Sequence, residues 1–239
     1  MMFLKVIIVV DEDHQVKDLE KLLDALHNKV NIPDDLVILE GMVADSLAHT
    51  SPWENIHDKL IIDATTPSEG DPISRPEENS VSESLAISAS AIEGVVQARM
   101  LRPSMMVVTT EVEGSPSPEE TVEVTNNHLA RLQREKIAAI RDSIWSLNAS
   151  RGLNWLFITD SDADLEHEDW KRRLLWQLFC RFDVGRDLHF DETGTRVAWD
   201  ATVPIPSDDG PLPVRRWPAV TLHDPEMVRR VDAWLSQRI

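Results

Sequence analysis

The chain has 239 residues, 42% of them apolar, enough to bury a substantial core as one large domain or two small ones. Its formal net charge of -18 argues against a nucleic-acid partner, because no basic face survives that balance and phosphates would be repelled. No apolar run approaches the roughly 20 residues of a membrane span, and the apolar opening runs straight into Asp11, Glu12 and Asp13 rather than a cleavage site, which predicts the first strand of a mature cytoplasmic chain.

In chain order, Val6 to Val10 is a β-branched run stopped by carboxylates, the pattern of a buried parallel strand. Leu19, Leu22, Leu23, Leu26 and Val30 then recur at helical spacing, and Pro33 ends that helix. Leu36 to Leu39 predicts a short strand, residues 40–58 a loop holding His49, Trp53 and His57, and Lys59 to Ile62 a strand ending at Asp63-Ala64-Thr65. Residues 67–79 are proline-rich and polar. Ser80 with Glu83 makes a capping box for a helix carrying Leu85, Ala89, Ile92, Val96 and Met100, stopped by Pro103.

Met105 to Thr110 predicts another strand, and residues 111–120, acidic with a Ser-Pro-Ser-Pro insert, a loop. Leu132, Ile137, Ile140, Ile144 and Leu147 mark a long helix, and Trp155 to Thr159 the next strand. Trp170, Leu174, Leu178 and Phe182 mark a crossover helix that also holds Cys180, read as a buried, inert thiol unable to form an intrachain disulfide. Short strands follow near Leu188 to Phe190 and Arg196 to Trp199. Asp224 caps a last helix whose Met227, Val231, Trp234 and Leu235 are expected to face inward.

The chain says the same thing twice. Val6 to Asp13 returns as Phe157 to Asp164, and Lys59 to Thr65 returns as Arg196 to Thr202, in the same order and with similar material between. We read a tandem duplication of one α/β unit, residues 1–103 and 104–239, each a short, mostly parallel sheet flanked by helices.

With these motifs assembled, the chain resembles the carboxy-terminal domain of the UbiD family, decarboxylases or reversible carboxylases that use prenylated FMN. The resemblance rests on Met106-Val107-Val108-Thr109, the strand from Leu156 into Asp160-Ser161-Asp162, Arg186-Asp187, Asp200-Ala201-Thr202, Trp217-Pro218, Asp224-Pro225-Glu226 and Arg230-Val231-Asp232. It implies an accessory or assembly subunit, or a homo-oligomer of that origin, with prenylated FMN entering only through a catalytic partner subunit. The family holds cofactor and metal mainly on an earlier domain that has no counterpart here. Basic residues that follow the family's Val-Val-Thr strand are replaced by Thr110 and Glu111, with Glu113 close by. No catalytic, cofactor-binding or metal-ligating residue is therefore carried over.

The acidic turns keep a second reading open, a Mg2+-dependent enzyme or ligand binder using Asp11 and Asp13 or Asp160, Asp162 and Asp164. A calcium loop is excluded, since Leu165 and Lys171 stand where glycine and glutamate are needed. The plainer reading makes Asp11 and Asp160 caps of the following helices and Asp63 and Asp200 polar anchors where strands end. His49 and His57 lack cysteine partners for zinc. Eight scattered glycines supply no phosphate loop, and the eight tryptophans are expected chiefly in the core.

Overall fold

The β-branched runs form strands because their side chains fill both faces of a pleated surface. The computed structural model describes residues 4–12, 17–44, 50–68, 83–111, 126–210, 212–216 and 224–236. The first sheet holds β1 (Val6–Val10), β2 (Leu36–Val43) and β3 (Ile56–Ala64), with α1 (Leu19–Lys29) as the crossover. Its order is β1-β3-β2, with β1 parallel and β2 antiparallel to β3. Asp18 caps α1, its carboxylate accepting from the Glu20 and Lys21 amides at 3.1 and 3.3 Å.

The second sheet follows α2 (Glu83–Ser90). It comprises β4 (Val95–Arg102), β5 (Met105–Thr110), β6 (Trp155–Asp160), β7 (Leu188–Phe190) and β8 (Val197–Ala201), in the order β4-β5-β6-β8-β7. α3 (Asn127–Ser146) joins β5 to β6, and α4 (Trp170–Arg181) with the short α5 (Val184–Asp187) joins β6 to β7; α6 (Pro225–Ser236) comes last. β5, β6 and β8 are parallel, β5 and β6 are buried at every position, and the antiparallel β4 and β7 close the edges.

The three-strand order of the first sheet recurs inside the second, with β6, β7 and β8 in the places of β1, β2 and β3. The registers agree: Val9 pairs with Asp63 as Ile158 pairs with Asp200, and Val10 with Ala64 as Thr159 with Ala201. The two sheets share a core in which Val6, Ile8, Leu60 and Ile62 belong with Trp155, Phe157, Val197 and Trp199, between α1 and α4. A second core lies on the far side of the second sheet, under α2 and α3.

Three expectations are corrected. The helix drawn through Met100 stops at Ser90, and Val95 to Arg102 is strand β4; Gly94 turns the chain at φ +87°, and Val96 and Met100, four apart, suit a strand face as well as a helix face. That strand precedes residue 103 yet hydrogen-bonds into the second sheet. The proposed cap Ser80 lies outside the described residues. None of the 12 residues of α6 is buried, so Met227, Val231, Trp234 and Leu235 do not face inward. Cys180 is half-buried rather than buried, because Trp176 and Phe179 beside it point to solvent.

Candidate functional site: the carboxyl ends of the parallel strands

In open α/β sheets the carboxyl ends of parallel strands are where ligands gather, and both acidic turns stand there. Asp11 follows β1 and accepts from the Thr66 amide at 3.0 Å, the Thr66 hydroxyl at 2.8 Å and Lys29 Nζ at the end of α1. The Lys29 ammonium and the Thr66 donors hold its carboxyl down, to about 2. Asp160 ends β6 in the equivalent place. Its Oδ2 accepts from Arg181 Nη1 at 2.9 Å, at the end of α4, and from the Val203 amide at 2.7 Å. Burial outweighs those donors and lifts this carboxyl to about 6.

Neither aspartate caps the following helix: Asp18 does so for α1, and α4 begins after Asp169 with no side-chain cap. The reason is reach. Each carboxylate meets a cation returning on the last turn of its crossover helix before any backbone amide of that helix's first turn. Arg181 also clasps Asp162, Nη2 to Oδ2 at 2.8 Å and Nη1 to Oδ1 at 3.2 Å, while Gln177 Nε2 donates to Asp162 Oδ1 at 2.6 Å. A guanidinium therefore occupies the position a divalent ion would take between Asp160 and Asp162. Among the described residues no cluster of three metal-ligating side chains exists. Asp13 and His49 lie outside those residues.

Asp63 and Asp200 are anchors of one design. Asp63 Oδ1 accepts from the Thr65 amide at 3.0 Å and hydroxyl at 2.7 Å; Asp200 Oδ1 accepts from Thr202 at 2.9 and 2.6 Å. Asp63 is exposed. Asp200 lines a cavity of about 240 Å³ between β8, α5 and α3, together with Gln133, Arg141, Asp187 and His189. Burial, and then the neighbouring Asp187, push its carboxyl up to about 7. Burial and Arg141 hold His189 below its ordinary value.

The Arg186-Asp187 pair ties the two sheets together. Arg186 Nε and Nη2 each donate to Asp187 at 2.6 Å, and Nη1 reaches back to the Thr50 carbonyl at 2.9 Å. Lys5 arrives from the other side, donating to Thr50 Oγ1 and the Phe182 carbonyl at 2.9 Å each. Burial lowers Lys5 to about 8 and raises Asp183, whose Oδ1 accepts from the Arg186 amide, to about 6. His57 is buried beside this network, and burial with the nearby Lys59 and Lys5 holds it below its ordinary value. At the end of β5, Thr110 donates its hydroxyl to the Gly94 carbonyl at 2.6 Å; Glu113 lies outside the described residues.

Sequence reasoning missed Arg181 and Lys29, the partners that decide what the acidic turns do. A signal existed: each unit carries a cation on the last turn of its crossover helix. Lys171 pairs with Glu20 of α1, where Arg102 also binds Glu20 at 2.9 Å and Asp24 at 2.5 Å. Of the tryptophans, Trp155, Trp170 and Trp199 are core, whereas Trp53, Trp176 and Trp234 are half-exposed.

An α/β protein with paired acidic strand ends is the class these features define. Residues 1–64 match the model of the 3-octaprenyl-4-hydroxybenzoate carboxy-lyase (UbiD) C-terminal domain. The similarity to that family's C-terminal domain is confined to 64 of the 239 residues and falls in the amino-terminal part of the chain, whereas the motifs quoted above lie beyond residue 103. A phenolic acid decarboxylase of Escherichia coli O157:H7 is 46% identical over 65 residues, covering 27% of this chain and 14% of that protein. The chain therefore spans a small part of the relative it matches. Among solved structures, Sedimentibacter hydroxybenzoicus vanillic acid decarboxylase in closed form aligns over 77% of this chain and 40% of its own, at 12% identity and a TM-score of 0.38. The evolved dimeric UbiD-class enzyme HmfF of Pelotomaculum thermopropionicum aligns over 61% and 27%, at 13% and 0.35. TM-scores this low do not define a shared fold. Among the described residues no helix is long and apolar enough to cross a membrane.

Proposed function

We propose that the chain is a non-catalytic accessory or assembly subunit of a UbiD-type carboxylase or decarboxylase system, or a homo-oligomer of that origin, built by duplication of the family's carboxy-terminal unit. The observation that carries this reading is the match of residues 1–64 to that domain, with the same strand order and register recurring at β6 to β8. The internal pairing of Asp11 with Lys29 and of Asp160 with Arg181 supports it, since these acids serve the fold. Prenylated FMN belongs, on this reading, to a partner subunit. The test is absorbance and CO2 release from aromatic and α,β-unsaturated acids. The chain as purified should be colourless, should release no CO2 even with prenylated FMN added, and should raise the yield or thermal stability of a UbiD-type catalytic subunit mixed with it. Stoichiometric bound flavin, or CO2 released by the chain alone, would overturn the proposal.

A further inference from the structure

The cavity between β8, α5 and α3 lies at the carboxyl end of β8, the end of an open α/β sheet at which ligands gather. At about 240 Å³ it exceeds the roughly 150 Å³ that holds a benzene ring. Part of its lining is aliphatic: Ile137 of α3, with Ile205 and Val214 from the chain beyond β8, all buried. Its wall is braced by the protein's own bonds. Gln133 Nε2 on α3 donates to Thr202 Oγ1 at 2.9 Å and to the Val203 carbonyl at 2.8 Å, and its Oε1 accepts from the Ile205 amide at 3.3 Å. The segment after β8 is thereby pinned to α3.

The rest of the lining is polar, and it holds hydrogen-bonding groups that the fold does not use. Arg186 is fully committed to Asp187 and the Thr50 carbonyl, and both oxygens of Asp187 are taken, by Arg186 and the Asp183 amide. Asp200 Oδ1 belongs to Thr202. Among the described residues, Asp200 Oδ2, the His189 ring and both Nη atoms of Arg141 make no hydrogen bond. None of these atoms is sealed inside the protein, and all three residues line the cavity. Buried or half-buried polar groups left in this way want a partner.

The charge of the lining narrows what that partner is. Arg186 and Asp187 cancel, which leaves Arg134 and Arg141 facing Asp200 alone, a cationic lining in a chain of formal charge -18. Arg141 meets Asp142 only through Nε, and Arg134 lies 3.8 Å from Asp209; both of those acids are exposed, and pairs in water are weak. Burial keeps Asp200 near 7, so about half of it carries a proton at neutral pH. A cationic ligand would meet two guanidinium groups. A phosphate dianion would meet Asp187 and Asp200 and leave the aliphatic wall unused. A monoanion with an aliphatic body satisfies the guanidinium, the carboxyl and the wall together.

We propose that this cavity binds a small aliphatic carboxylate, with its head group between Arg141 and Asp200 and its body against Ile137, Ile205 and Val214. Arg141 gives the head group charge-assisted hydrogen bonds, and Asp200 in its protonated form donates to it; the ionised form repels it. Binding is therefore coupled to proton uptake at Asp200. The other charged groups facing Asp200 hold steady above pH 7. Arg186 and Asp187 are locked in their own pair, Arg134 and Arg141 stay protonated, and His189 is already below its ordinary value. The proposed function gives this chain no ligand, and the site adds one without adding a reaction.

The experiment is titration calorimetry of the full chain with 3-methylbutanoate, run at pH 7 in two buffers of unlike ionisation enthalpy. Saturable binding is expected with a Kd of roughly 1 mM or tighter, together with uptake of up to about half a proton, the share of Asp200 ionised at pH 7. From pH 7 to pH 9 the affinity of the wild type should fall about tenfold or more. Asp200→Asn should bind with no proton uptake and with an affinity level across that range. Arg141→Gln should weaken binding about tenfold at every pH. Absence of saturable binding in the millimolar range overturns the proposal. So does binding without proton uptake, binding indifferent to both variants, or inorganic phosphate bound as tightly as 3-methylbutanoate. If circular dichroism shows that a variant fails to fold, the two-buffer and pH measurements on the wild type decide alone. None of these readings involves flavin absorbance or CO2 release, so the accessory-subunit reading stands or falls separately.

Discussion

Asp11 and Asp160 occupy the same station in two sheets of the same strand order, and their chemistry is opposite. Asp11 is held near 2 by Lys29 and Thr66 in the open, whereas Asp160 is pushed to about 6 although an arginine touches it. The difference is burial. The Lys29–Asp11 pair leaves both side chains 28% exposed, while Arg181 and Asp160 are exposed by 9% and 11%. A charge pair in water is worth little; the same pair out of water is indispensable once formed, because either partner left alone is an uncompensated buried charge.

The largest effect should therefore be at Arg181. Arg181→Ala strands Asp160 and should cost about 3–5 kcal/mol in urea unfolding. Replacing the pair together, Arg181→Met with Asp160→Leu, should recover most of that loss. Additive losses in that cycle would show that the two residues do not act as a pair.

The next effect depends on pH. Asp200 has a folded value of about 7 against 3.8 in the unfolded chain, so between pH 4 and 7 the folded state holds the extra proton. Stability contributed by this group is then greatest below pH 4 and falls as pH rises to 7. Asp160 and Asp183, both about 6, act in the same direction, while His57 and His189, both lowered, oppose it below pH 6.5. Comparison with Asp200→Asn, which keeps the oxygen facing Thr202, isolates the one group. Relative to that variant the wild type should lose on the order of 1–3 kcal/mol between pH 4 and pH 7. A constant difference across that window would mean that Asp200 is not buried as described.

Smaller effects follow from the exposed side of the comparison. Asp18→Ala removes the α1 cap and should cost about 1 kcal/mol by thermal or urea unfolding, more than Asp11→Asn would if Asp11 were only a surface acid. Lys29→Ala should cost no more than about 1 kcal/mol, and less in high salt. A loss at Lys29 as large as that at Arg181 would erase the distinction between the two strand ends.

Much of the fold was legible where long, β-branched or stripe-bearing segments left one choice. β1, β5, β6 and α1 fall close to where their patterns put them, and the repeated order of motifs anticipated the matching registers. β4 was not legible, because Val96 and Met100 satisfy both a period of 3.6 and a period of 2 and only Gly94 breaks the tie. The partners of the acids were hidden for another reason. Arg181 lies 21 positions from Asp160, and Val203 lies 43 away, so only the folded sheet brings them within 3 Å. The exposure of α6 is a tertiary fact too. Its stripe is as regular as that of α1, and a stripe says that a face seeks cover without saying which surface provides it.

On the proposed function, the acidic strand ends at Asp11 and Asp160 serve the fold through internal cations rather than a ligand. Titration calorimetry with Mg2+ and Mn2+ on the wild type and on Asp162→Asn tests this most directly, since Asp162 is the more exposed partner of Arg181. Neither protein should show saturable binding, and Tm should not change with metal. Micromolar affinity in the wild type, abolished in Asp162→Asn, would contradict it.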